Sequence, residues 1–255
     1  MTDPSSRLRI SVAVTSLFLL MLIASLVFLV TLMSSYEIVH IKSDSMKNGS
    51  RGSIEDGDLV KMVDVGSFQG VTTYVEGREK GYSKAGSYGD VLFFKPNGDE
   101  DATLIVHRAV VSVYFNSSTY HPLTGEGGGF DIPSLNILNV NGTISIKDYE
   151  WPRIPDPYTL VIDLGEVLDN FARIGKRPHS GFITKGDNNR LVDQTGVFTD
   201  TGDLFEPVTV DWIRGRMEGK LDLLPVLLST GVSSVLLLVM IGITVFQIKR
   251  TRGDP

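Results

Sequence analysis

Cysteine is absent from the 255 residues. That excludes disulfide frameworks, thiolate nucleophiles and cysteine-based zinc sites. Histidine is scarce: His40, His107, His121 and His179 are the four present. No two of them sit at i, i+4, and no H-E-x-x-H occurs, so the helical zinc-hydrolase pattern is missing. No G-x-x-x-x-G-K-[ST] phosphate loop exists, and the patch Gly125–Gly129 matches neither a phosphate nor a dinucleotide loop. No metal and no cofactor is therefore expected. Basic residues are in the minority, with 24 Lys+Arg against 30 Asp+Glu and a net charge of −6. A general nucleic-acid binder needs the opposite balance.

Charge is missing altogether from two long runs. Between Arg9 and Glu37 no residue carries a charge, and the apolar stretch runs from Ile10 to Met33. Twenty-four helical residues span roughly 36 Å, enough for a hydrocarbon core of about 30 Å. The second run extends from Leu223 to Ile248, with Pro225 in its first turn, where a missing N–H does little harm. A cleaved signal peptide is the alternative for the first run. Its apolar part is longer than usual, however, and no A-x-A site follows. A buried core helix is the alternative for either run, but core helices rarely lack charge all round. Two transmembrane helices, 10–33 and 223–248, are the expectation.

Orientation follows from Arg7 and Arg9 before the first run and Lys249, Arg250 and Arg252 after the second. Residues 1–9 and 249–255 are then cytoplasmic, and 36–220 form an extracytoplasmic domain of a multi-pass cell-membrane protein. Three sequons fall in that domain, at Asn48, Asn116 and Asn141. Sequons also occur by chance, so they add little.

The texture of 36–220 is β. Asp58–Val65 alternates after the turn Asp56-Gly57. Gly89-Asp90 opens Val91–Phe94. Thr103–Phe115 is a long strand candidate and Gly181–Thr184 a short one. Only Leu164–Ile174 has a helical pattern. The expected class is mainly β, with short strands curled into a barrel-like or sandwich core. Two stretches read as insertions on that core: about 66–89, and 116–180, the latter forming a small subdomain or a set of excursions.

Without metal or cysteine, serine nucleophilic catalysis is the remaining hydrolytic chemistry. It needs a hydroxyl, a base and a group that orients the base. Ser43-Asp44-Ser45-Met46, His107-Arg108 and Lys185-Gly186-Asp187-Asn188-Asn189 followed by Asp193 supply candidates. Taken singly, each has an ordinary explanation: a solvated loop serine, a satisfied core histidine, a turn aspartate.

Taken together, in this order behind a membrane run, they resemble type I signal peptidases of the archaeal and endoplasmic-reticulum type. The matching pieces are S-D-S-M at 43–46, G-D-V-L-F-F at 89–94, H-R at 107–108, K-G-D-N-N-R-L-V-D at 185–193 and the closing segment Val210–Arg216. The resemblance implies a signal-peptidase catalytic core with an inserted subdomain. It implies a serine endopeptidase that removes signal peptides from preproteins, cutting after small residues. Ser45 matches the nucleophile and His107 the base. Asp193 matches the acid that orients the imidazole, with Asp187 supporting the site or competing for that role. Ser43 matches a hydroxyl near the oxyanion. Met46, Ile54, Val91 and Phe93 are candidates for shallow substrate pockets. Implied partners are preprotein signal peptides, the lipid bilayer and the protein-translocation machinery.

Two departures stand out. Asn48 replaces a usual proline, and Gln194 replaces a frequent second acid. Because a glycan at Asn48 would obstruct Ser45, that sequon is expected to be unmodified. The competing expectation is a non-catalytic, membrane-tethered β-domain acting in adhesion or sensing.

Overall fold

In the computed structural model, the described residues are 37–121, 126–151, 158–195, 199 and 202–221, with 12, 13, 15–17, 19–27 and 30 in the first apolar run. The chain divides into two units, 38–220 and the two ends taken together. In the terminal unit, the described residues of the first run are helical. The second expected span, 223–248, lies outside the described residues. Among those described, no helix is long and apolar enough to cross a membrane.

Unit 38–220 is mainly β, as its sequence texture suggests. Twelve strands are described: β1 (Glu37–His40), β2 (Leu59–Val63), β3 (Ser83–Lys84), β4 (Ser87–Tyr88), β5 (Val91–Phe94), β6 (Ile105–Asn116), β7 (Gly129–Ile132), β8 (Ile137–Val140), β9 (Thr143–Tyr149), β10 (Tyr158–Asp163), β11 (Gly181–Lys185) and β12 (Ile213–Lys220). The main sheet runs β1-β2-β12-β5-β6-β7-β8, with β11 also on β6, and β9–β10 and β3–β4 form separate pairs. The barrel-like closure expected from sequence is not found among the described residues. The reason lies in β6. Its first part pairs with β5, its middle with β11 and its end with β7. The sheet therefore forks at β6, and its outer strands β1 and β8 do not pair.

β6 is a central strand buried on both faces from His107 to Val113, which is why it reads as a continuous apolar run rather than an alternating one. β5 separates two apolar clusters by its pleat. Val91 and Phe93 join Met46, Ile54, Val60 and Met62, whereas Leu92 and Phe94 join Ala109, Phe182 and Val208.

The 116–180 insertion is part of the core. Phe130, Ile132, Ile144, Ile146, Leu160 and Ile162 pack in one cluster with Val110, Val111 and Val113 of β6. Each such side chain contributes roughly 1.5–3 kcal/mol when fully buried, so this layer is too large a share of the core to be an appendage. Helix α2 (Leu164–Arg173), capped by the Asp163 carboxylate on Glu166 N, adds Leu164, Val167 and Phe171 to it.

The 66–89 insertion holds a helix that the periodicity analysis passes over, α1 (Tyr74–Lys80). Its signature was nonetheless present as Thr73-x-x-Glu76. The Thr73 hydroxyl accepts from Glu76 N while the Glu76 carboxylate accepts from Thr73 N, a reciprocal capping box. The helix start sits directly on Gly89. A Cβ there would lie 2.6 Å from Thr73 C and Tyr74 N, and Gly89 has φ of +77°. Gly89→Ala combines left-handed strain with overpacking, and should lose about 2–4 kcal/mol. Denaturant midpoints of the two proteins would measure it.

Candidate active site

The histidine–acid pair is built by two adjacent strands. His107 pairs in register with Leu92 of β5, and β11 runs antiparallel to β6 with Lys185 opposite Arg108. The chain then turns through Gly186–Arg190 and returns, so that Asp193 N donates to Thr184 O at 2.8 Å. This return brings the Asp193 carboxylate to 2.7 Å from His107 Nδ1. Asp193 is 2% exposed and His107 8%.

A carboxylate only accepts, so Nδ1 carries the hydrogen, and in the neutral imidazole Nε2 then presents its lone pair. Asp193 is itself oriented. The Thr184 hydroxyl donates to the same Oδ2 at 2.7 Å. Gln194 Nε2 donates to Thr184 Oγ1 at 3.1 Å, and Gln194 Oε1 accepts from Thr184 N at 2.9 Å. The Gln194 amide thus occupies the acceptor side of the Thr184 hydroxyl and leaves its hydrogen for Asp193.

Asp187 has a different partner. Its two oxygens take Arg108 Nε at 2.7 Å and Nη2 at 2.6 Å, a two-pronged ion pair. His107 and Arg108 are consecutive, so their side chains leave β6 on opposite faces. Of the two acids left open by the sequence, Asp193 therefore meets the imidazole and Asp187 the guanidinium. Burial pushes the Arg108 pKa down most, but the Asp187 charge and hydrogen bonds outweigh it and leave the pKa raised.

Ser45 lies in a loop after β1 and is half-buried. Its hydroxyl is 3.2 Å from Ser43 Oγ, and no hydrogen bond joins it to His107. Its carbonyl accepts from Asn188 N at 2.8 Å, and Asn188 Nδ2 donates to Asp44 O at 3.1 Å. Gly186 also belongs to this contact, since a Cβ there would lie 2.8 Å from Ser45 O. Thr184 touches Asp193 and Asn188 touches Ser45. Four residues of chain span at most about 14 Å, so segment 184–188 keeps the serine loop and the His–Asp pair in one region.

Met46, 1% exposed, anchors the loop in the apolar cluster with Ile54, Val91 and Phe93. All four proposed pocket residues are fully packed. The partly buried residues over that cluster are Val39, Leu104 and Val106, and these form the accessible apolar wall. Sequence reasoning missed Thr184, and named Arg108 and Asn48 without giving either a role in the site.

Lys185 is buried and has no ion-pair partner among the described residues. Its Nζ donates to Gly186 O at 3.1 Å and lies 5.0 Å and 6.0 Å from the ring centres of Tyr149 and Trp151. Burial lowers it from the ordinary 10.5 to about 8, against the opposing pull of Asp187 and Asp193. No protein-family model, curated protein or solved structure matches the chain.

Two outcomes follow. Asp187→Asn leaves the Arg108 guanidinium buried without a counter-charge, and should cost about 3–5 kcal/mol in chemical unfolding. For Lys185, the unfolded chain holds a proton between pH 8 and 10.5 that the folded chain releases. Stability from this group therefore rises with pH through that window. The stability gained by Lys185→Met over the parent should accordingly shrink between pH 7 and pH 10, as read by urea midpoints.

Proposed function

We propose that the chain is a membrane-anchored serine endopeptidase that removes signal peptides from preproteins, with Ser45 as nucleophile and His107 as base. The observation that carries the reading is the buried Asp193–His107 Nδ1 contact at 2.7 Å, on a strand whose neighbouring loop binds the Ser45 carbonyl. An imidazole held in this tautomer can take a proton at Nε2 from a serine hydroxyl as it attacks a carbonyl carbon. It can then deliver that proton to the leaving amine. Ser43 Oγ, 3.2 Å from Ser45 Oγ, and Ser45 N are the donors assigned to the oxygen that becomes negative.

A binding surface for extended peptide lies beside the base. β11 covers one edge of β6 only from Arg108 onward. Among the described residues no strand pairs with Ile105–His107 on that edge. A substrate strand could add there through backbone hydrogen bonds, with its small side chains against Val39, Leu104 and Val106. The charge-free runs 10–33 and 223–248 are read as the membrane anchors, with the domain outside the membrane and translocating preproteins reaching it there.

One observation favours the second reading, a tethered β-domain without catalysis: Ser45 Oγ pairs with Ser43 and not with His107. Catalytic hydrogen bonds are often long before substrate binds, so activity decides between them. Purified full-length protein in detergent, given a signal-bearing precursor, should release a product whose new N-terminus follows a small residue. Ser45→Ala and His107→Ala should each reduce this at least about a thousandfold while thermal unfolding stays near that of the parent. Full cleavage by either folded variant would reject the endopeptidase reading.

A further inference from the structure

Asn48 follows Ser45 by three residues, and every polar atom of its side chain is engaged. Nδ2 donates to Ala85 O at 2.8 Å and to Asp187 Oδ2 at 2.8 Å. Oδ1 accepts from Ser50 N at 3.1 Å and from Ser50 Oγ at 2.6 Å. The reversed amide would set oxygen against a carbonyl and a carboxylate, so these neighbours admit one orientation. The Asn48 backbone N–H is used as well, donating to Ser53 Oγ at 2.9 Å.

This geometry joins parts of the chain that nothing local would hold together. Asn48 and Asp187 are 139 residues apart. Asp187 is gripped by Arg108, and Arg108 is covalently next to His107. We infer that Asn48 is a positioning residue for the proposed endopeptidase: its amide straps the Ser45 loop to Asp187, and so to the strand that carries the base. The inference rests on the endopeptidase reading. Its physical basis is that hydrolysis tolerates little displacement between nucleophile and base, while Ser45 sits on a loop and His107 on a central strand.

Other side chains do this less well. Aspartate would bring a second carboxylate against Asp187. Proline would stiffen the loop but abolish the donor to Ser53. The same contacts bear on the sequon at Asn48. Both hydrogens of the acceptor nitrogen are committed, so attaching a glycan there would break the strap.

The test uses full-length protein in detergent, comparing parent, Asn48→Ala and Asn48→Asp. Precursor cleavage gives kcat and KM, a fluorophosphonate probe reports the rate of covalent labelling at Ser45, and both are expressed per folded molecule. Asn48→Ala should lower kcat and the labelling rate together by about tenfold to a hundredfold, the scale of one hydrogen bond to a charged group, with KM within about twofold. Asn48→Asp should be slower still. Asn48→Ser keeps the backbone donor but is too short to reach Asp187, and it provides the same readout if the alanine variant does not fold. A folded alanine or serine variant with parental kcat and labelling, beside an active parent and an inactive Ser45→Ala, overturns the strap alone. A parent that neither cleaves precursor nor labels at Ser45 overturns the endopeptidase reading and the strap with it.

Discussion

The buried ion pair between Arg108 and Asp187 is the constraint on which the rest of this site depends. Arg108 is fully buried, and its guanidinium donates in three directions. Nε and Nη2 take the carboxylate, while Nη1 faces the carbonyls of Lys84, Ser87, Tyr88 and Gly89 at 2.9–3.3 Å. Those carbonyls turn inward because the loop passes through left-handed residues Ala85, Gly86 and Gly89. Without the guanidinium these carbonyls would lose that donor, and an acceptor left buried and unsatisfied costs about 1–3 kcal/mol. A lysine could not replace it, because a point ammonium lacks the planar fork that serves a carboxylate and a loop at once. One side chain thus fixes the turn before β5, the loop after β11 and the strand between them.

Burial of so much charge is balanced locally rather than by solvent. Asp90, fully buried, takes Tyr82 Oη at 2.6 Å, Thr72 N at 2.8 Å and Arg216 Nη1 at 3.2 Å. Glu206 holds both Lys176 and His179. Lys185 is the exception, offset by the faces of Tyr149 and Trp151 instead of a carboxylate. Those rings come from the middle of the 116–180 insertion. The insertion also reaches the acid's neighbour directly, through Asn170 Nδ2 to Gln194 O at 3.2 Å. The insertion thus packs against the residues beside the two acids, Lys185 and Gln194.

Much of this was legible in the sequence, and the failures have physical reasons. β2, β5, β6 and β11 announce themselves by apolar runs between glycine turns, and helix α2 by its periodicity. The Asp193–His107 contact could be expected only by resemblance, since a one-dimensional reading cannot bring residues 86 apart together. Arg108 was quoted with His107 in the H-R motif but given no role, because its partner Asp187 lies 79 residues along the chain. Asn48 read as a lost proline, since its hydrogen bonds lie with Asp187 and Ala85, far along the chain. Helix α1 is too short for periodicity, although its capping box was written out at Thr73 and Glu76. Closure of the sheet was a matter of where β6 forks, and no local pattern encodes a fork.

The site divides its tasks by rigidity. His107 sits on a central strand that β5 holds on one edge and β11, from Arg108 onward, on the other. Ser45 sits on a loop and is tied down by Met46 in the apolar cluster, by Asn48 on Asp187 and by Asn188 N on its carbonyl. The hydroxyl remains the one loosely specified element, turned toward Ser43. On the endopeptidase reading, a peptide strand added to the free edge of β6 at Ile105–His107 supplies what is missing. It excludes water, pairs the backbone of Ile105–His107 on that edge and places a carbonyl beside the serine loop. Since each contact strengthens the next in a drier site, binding and alignment become one event, and a peptide that cannot lie extended along that edge is a poor substrate whatever its side chains.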